Sequence, residues 1–180
     1  MYTEKRLVVV GIDGSAESLA ALRWALTEAV ILDAFVDVVH CYLPQTLTDF
    51  SVGKPHELRT RSAIMLENEI STALAEMSET PSELRRSSMV GSPAKALLEK
   101  AADASLLVLG VHGRTALRDL ILGRVGQACL RRAPCPVVIV GLDNSIVRHE
   151  TPQRLRPAPA ETLFSDVRLR SIPPPVAASG

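Results

Sequence analysis

Aromatic residues are scarce. One Trp, two Tyr and three Phe make up 3% of the 180 residues, although 47% of the chain is hydrophobic. A core must therefore be packed from Val, Leu, Ile and Ala, the palette of buried parallel strands covered by helices. An excess of charge of either sign is also absent, with Lys plus Arg and Asp plus Glu each numbering 20. No overall field draws such a chain toward nucleic acid or a membrane, so neither is expected as a partner, and only a local basic patch stays open. The cysteines are three, Cys41, Cys129 and Cys135, an odd number with no CxxC spacing. That argues against a secreted disulfide framework and for reduced thiols in a cytoplasm. No apolar run approaches the ~18 residues of a membrane span. The opening "MYTEKRLVVVGIDGS" holds too short an apolar stretch for a secretory signal.

What is present is alternation, in a chain long enough for one domain with a real core. Residues 6–12 are short, β-branched and closed by Asp-Gly, which predicts a buried strand. Residues 15–33 come next as a helix capped by Ser15, with Leu19, Leu22, Leu26 and Ala29 on one face and Trp24 in its packing. A second strand is expected over 35–41 and a loop over 42–54. A long helix then runs to about Ser78, its stripe read as Ile64, Leu66, Ile70, Leu74 and Met77. The more polar segment 83–90 reads as an edge strand. Ser92 and Pro93 open a helix that presents Ala94, Leu97, Leu98 and Ala101. "SLLVLG" (105–110) is a fourth strand, 111–123 loop or irregular helix, 124–132 a short helix, and "PVVIVG" (136–141) a fifth strand. Crossovers of this kind imply an α/β fold: an open, doubly wound parallel sheet with helices on both faces. Its ligands are expected at the carboxyl ends of the strands. From about residue 142 the character changes, and half of the 12 prolines lie between Pro152 and Pro175. The chain divides into a domain over 1–141 and a Pro-rich, mostly disordered tail over 142–180, in which 161–169 is the one amphipathic piece. No internal repeat is evident.

The stretch "LVLGVHGRTALRDLILGRVGQACL" carries the chemistry. Gly110 ends a strand, Gly113 sits in a turn, and Gly123 immediately precedes a helix whose first amides have no partner within it. Free amides and a helix dipole together suit an anion. His112, Arg114, Arg118 and Arg124 add donors against only Asp119. The plain alternative is that the glycines make tight turns and the arginines are solvated.

Those residues resemble the universal stress protein family, whose nucleotide motif is G-x-x-G, nine residues, then G-[S/T]. Here Gly110-Val-His-Gly113 is followed by Arg114–Leu122 and then Gly123. "VVVGIDGS", "GSPAKALLEKAADASLLVLG" and "APCPVVIV" are similar too, so the likeness runs from about residue 5 to 141. The resemblance implies a five-stranded parallel sheet of order 3-2-1-4-5 and a homodimer paired through the last strand, 136–141. It also implies a bound ATP or related adenine nucleotide, with Mg²⁺ as its companion, between strands one and four. Ile12 and Asp13 would stand at the end of strand one, Asp13 toward the ribose and adenine. Cys41 would line the adenine pocket. Leu109, Gly110, His112 and Gly113 would form the phosphate turn, closed by Gly123, Arg124, Val125 and Gly126. One departure matters: Arg124 stands where the motif has Ser or Thr, and Gly126 where a second hydroxyl is common. Arg124 has three open roles, a bidentate phosphate contact, a plug, or a side chain in solvent.

Other candidates are weaker. Asp13 either meets ribose hydroxyls or caps loop amides. Cys41 reads as a pocket wall rather than a nucleophile, and strand alternation sends His40 to the opposite face, so the two are poor joint metal ligands. His56 and His149 are far apart in sequence and define no metal site. No P-loop, dinucleotide fingerprint or Ser nucleophile elbow is present. Without an evident water activator, a regulatory binding module in a stress response, with at most weak ATP hydrolysis, is expected over an enzyme. A nucleotide-free dimeric scaffold is the alternative.

Overall fold

A computed structural model describes residues 6–43, 54–111 and 123–150. The described elements run β1 (Leu7–Ile12), α1 (Ala16–Leu32), β2 (Phe35–Tyr42), α2 (Lys54–Leu74), β3 (Leu84–Val90), α3 (Pro93–Lys100), β4 (Leu106–Gly110), α4 (Arg124–Arg132), β5 (Val137–Val140) and β6 (Ile146–Glu150). A single 3₁₀ turn, Ala101–Asp103, joins α3 to β4. The loop at 44–53, the segment 112–122 and the tail at 151–180 lie outside the described residues.

The strand order is β3-β2-β1-β4-β5-β6. The first five strands pair in parallel, as the alternation of elements requires. Period-two alternation then divides the core. Val8, Val10, Ile12, Val36, Val38, Leu106 and Val108 face one side, under Leu22, Trp24 and Leu26 of α1 and Leu66 and Ile70 of α2. Val9, Val39, Leu107, Leu109, Val137 and Ile139 face the other, under Leu97 of α3 and Cys129 of α4. Aliphatic packing carries both layers, and among the described residues Trp24 is the one aromatic in either.

Three expectations need correction. The sheet has six strands rather than five, because β6 returns antiparallel along β5. Irregular chain therefore does not begin at 142: Asp143-Asn144-Ser145 turns the chain and β-branched Ile146 and Val147 resume it as strand. Ile64, placed on the buried stripe of α2, is 55% exposed. Residues 64 and 66 are some 200° apart around a helix; the buried face is Ser62, Leu66, Ile70 and Ala73. In α3, Ala96 and Leu97 are buried, while Ala94 and Leu98 are only half-buried.

The two loops after β1 and β5 are built alike. Asp13 Oδ1 accepts from Ser15 N at 3.1 Å and Ser15 Oγ at 2.6 Å, and Asp143 Oδ1 accepts from Ser145 N at 3.1 Å and Ser145 Oγ at 2.6 Å. The residue between is left-handed in each, Gly14 at φ +79° and Asn144 at φ 60°. Gly and Asn are the residues that tolerate this region. The residues after each turn set the element that it leads into. Ala16-Glu17-Ser18-Leu19 continues as helix, with Ser15 as its N-cap, whereas Ile146-Val147 continues as strand.

Candidate functional site

A cavity of about 460 Å³ opens at the carboxyl ends of β1, β2 and β4, between α3 and the start of α4. Its apolar walls are Ile12, Val39, Cys41, Pro93, Leu97, Leu109 and Val111. Val39 and Cys41 share a face of β2 by strand alternation, and Pro93 and Leu97 share a face of α3 at helical spacing. Asp13, Ser15, Glu17 and Ser18 come from the β1–α1 turn, and Gly123, Arg124, Val125 and Gly126 from the start of α4.

Nine of the expected site residues, Ile12, Asp13, Cys41, Leu109, Gly110, Gly123, Arg124, Val125 and Gly126, are thus brought together. His112 and Gly113 fall outside the described residues. Sequence reasoning missed Gly11, Ser15, Glu17, Ser18, Val39, Pro93, Leu97 and Val111. Two-residue alternation back from Cys41 would have found Val39.

Three helix starts reach the cavity: α3 opens there at Pro93, which has no N–H to offer, and those of α1 and α4 differ. At α1 one first-turn amide is already engaged by the side-chain cap. Ser18 N donates to Ser15 Oγ at 3.1 Å, Asp13 N donates to Ser18 Oγ at 3.3 Å, and Glu17 adds a carboxylate to the first turn. At α4 the N-cap is Gly123, with no side-chain cap and no acidic residue in the first turn. The start of α4 thus offers uncapped amides and a dipole end favourable to an anion, with no carboxylate in its first turn to oppose one. Asp13 serves the turn through Oδ1, as the capping alternative had it, while lining the cavity. Arg124 is exposed on the cavity rim and does not plug it.

Gly110 has a structural reason apart from any ligand. A methyl there would lie 2.5 Å from the Glu17 carbonyl carbon, closer still to its oxygen, and 2.9 Å from Ser18 N. The backbone of α1 fills the space a side chain would take. Gly123 has φ −57°, a value any residue adopts, so a left-handed turn is not its reason.

His40 lies on the other face of β2, where Nδ1 is 2.7 Å from Ser62 Oγ, which itself donates to Ser88 Oγ at 2.8 Å. Burial lowers its pKa, opposed by the nearby Asp13 carboxylate. Among the described residues, no group of three His, Cys, Asp or Glu side chains could hold a metal. None of their helices is long and apolar enough to cross a membrane.

Burial pushes the Cys41 thiol up to about 11. Cys129 and Cys135 are 0% and 3% exposed and also pushed up to about 11. Cys41 alone of the three is expected to react with iodoacetamide near pH 8. It should react about tenfold more slowly than a free thiol, its smaller thiolate fraction being partly offset by greater nucleophilicity. A molecule seated against the β2 wall should slow it further. Mass spectrometry of timed digests reads both effects, and an alkylation rate equal to that of a free thiol would contradict the buried setting of this wall.

The model of the universal stress protein family matches residues 5–141. Universal stress protein Rv2005c of Mycobacterium tuberculosis is 33% identical over 150 residues, 78% of this chain and 49% of that protein. The chain thus spans about half the length of this mycobacterial relative. A Thermus aquaticus universal stress protein is 32% identical over 139 residues, 75% of this chain and 98% of that one. Among solved structures, a universal stress protein in complex with cAMP is 28% identical with a TM-score of 0.60, covering 77% of this chain and 98% of that one. UspA of Lactobacillus plantarum, at 16% identity, has a TM-score of 0.62 and covers 77% of this chain and 99% of its own, sharing the fold.

Proposed function

Since this chain belongs to the universal stress protein family, we propose that its cleft binds ATP or a related adenine nucleotide reversibly, and that occupancy is a regulatory signal in a stress response. One observation carries the reading. A single cavity offers an apolar slot at one end and a helix start without a side-chain cap at the other. A purine fits between Val39 and Cys41 on one side and Pro93 and Leu97 on the other, and a phosphate meets the first amides of α4. The related protein whose structure is a complex with cAMP supports the pairing of adenine with phosphate. Arg124, on the rim, supplies the charge that the missing hydroxyl side chain does not. Mg²⁺ would accompany a polyphosphate rather than hold a protein site of its own.

Among the described residues, the ionisable side chains on the cavity wall are Asp13, Glu17, Cys41 and Arg124. Asp13 is occupied in its turn and Cys41 is held as a thiol. Binding without efficient hydrolysis is the expected activity. Three unpaired cysteines suit a reducing compartment, and the cytoplasm is the proposed location.

The test is direct. Heat-denatured protein is extracted and chromatographed for adenine nucleotides, and the stripped protein is titrated by calorimetry with AMP and ATP, with and without Mg²⁺. Saturable binding at micromolar concentrations supports the reading. Absence of any heat at millimolar AMP and ATP, about 4 kcal/mol or less of binding, overturns it and leaves the nucleotide-free scaffold.

A further inference from the structure

The two walls of the apolar slot continue below it. On β2 the face that carries Cys41 and Val39 carries Asp37 next, by strand alternation. On α3 Pro93, Leu97 and Lys100 fall on one face at helical spacing. Asp37 is thus about 13 Å along its strand from Cys41, and Lys100 about 10 Å along its helix from Pro93. The two arms are joined at the foot. Lys100 Nζ donates to Asp37 Oδ2 at 2.8 Å. Ser87 Oγ, from β3, donates to Asp37 Oδ1 at 2.7 Å and accepts from Lys100 Nζ at 2.9 Å. Ser87 stands opposite Val39 in the parallel register, so the three groups border the slot without lining it.

Asp37 is 3% exposed. Its ion pair is weak evidence for stability, since apolar residues of like volume often serve as well or better in such a place. What the pair adds is direction. Helix α3 has only eight residues, and its apolar anchors are Ala96, Leu97 and the following Ala101. Apolar burial is non-directional and lets so short a helix slide or tilt. A carboxylate held by two donors at hydrogen-bond distance does not.

We infer that Asp37 and Lys100 are positioning residues: bound to each other and to Ser87, they fix the tilt of α3 over β2 and so set the width of the slot between Val39 and Cys41 on one side and Pro93 and Leu97 on the other. The consequence for a ligand rests on the reading of that slot as the purine site.

The experiment measures the slot twice, once without any nucleotide. In Lys100→Met, which keeps the stem and removes the charge, iodoacetamide should reach Cys41 several-fold faster than in the wild type. Adenosine and AMP should lose affinity by one common factor of roughly twofold to thirtyfold, the range for residues that touch no ligand. The double variant Asp37→Val/Lys100→Met separates placement from folding. With the pair replaced by apolar side chains, stability in urea should hold or rise, while faster alkylation and weaker binding persist. If Lys100→Met fails to fold, the double variant carries both readouts. Alkylation at the wild-type rate in the folded double variant overturns the inference and leaves the pair a structural tie. Unchanged adenosine affinity, or a loss confined to AMP, overturns it too. Should the wild type bind neither adenosine nor AMP, the purine reading falls, and the alkylation rates alone decide what sets the slot.

Discussion

Gly110→Ala is expected to destabilise the protein by about 3 kcal/mol, the upper end of what an added core methyl costs, and to lower Tm by about 10 °C. The reason is the identity of the neighbour. The new carbon would meet the Glu17 carbonyl and Ser18 N, which are main-chain atoms with no rotamer to change. Nor can the first turn of α1 shift freely, because Ser15, Ser18 and Asp13 bind one another and Leu22 and Leu26 anchor the helix in the core. Gly11→Ala is the contrast. The atoms nearest its methyl would be δ-carbons of Leu109 and Leu97, side-chain ends that can give way, so its cost should be roughly half as large. Urea unfolding of both variants without nucleotide checks the order. If Gly110→Ala keeps full stability and loses only nucleotide affinity, the close approach of α1 is not what requires glycine there.

That prediction marks a limit of the sequence. The spacing of Gly110, Gly113 and Gly123 points to a backbone approached closely by something, and the resemblance supplies a phosphate. At Gly110 the approaching group is α1, brought over β4 by the crossover from β1. Spacing along the chain carries no information about which distant segment arrives. Four of the five parallel strands, β1, β2, β4 and β5, are by contrast legible as short, mainly apolar runs between a turn and a helix, and β3 as a more polar edge. Ser15 is legible as a cap because capping is local, and its side chain does bind Ser18 N. For helix α2 the extent is legible but the facing is not. A stripe drawn through Ile64 favours a large apolar residue, while the buried face includes the small Ser62 and Ala73.

The last strand shows the same limit from the other side. Proline content after residue 150 colours any reading of 142–150, although those nine residues contain no proline. The D-x-S pattern at 143–145 repeats that at 13–15, and Ile146-Val147 has the β-branching of a strand. Both signals are present in the sequence. Whether a five-residue strand pairs depends on an open neighbour, and the β5 edge supplies one only in three dimensions.

Arg124→Glu is expected to weaken binding of AMP and ATP about tenfold to a hundredfold while leaving adenosine affinity unchanged. A charge-assisted hydrogen bond to phosphate is worth about 1.5–3 kcal/mol, which is that range of affinity. A carboxylate here also competes for the amides the phosphate would use. At the first position of α4 it lies at the positive end of the helix, where no acidic residue now stands. The same geometry favours the fold, since an acidic side chain at a helix start stabilises it by about 0.3–1 kcal/mol. Tm should therefore hold or rise slightly while affinity falls, a separation that a general packing defect cannot produce. Because residue 124 is exposed, part of the loss should be screened as salt increases. Calorimetry with adenosine, AMP and ATP at low and high salt reads all of this. Equal losses for adenosine and AMP would place the base, not the phosphate, against α4. Unchanged AMP affinity would mean that the Arg124 guanidinium is not a phosphate contact, since the other charged side chains on the cavity wall among the described residues, Asp13 and Glu17, are both acidic.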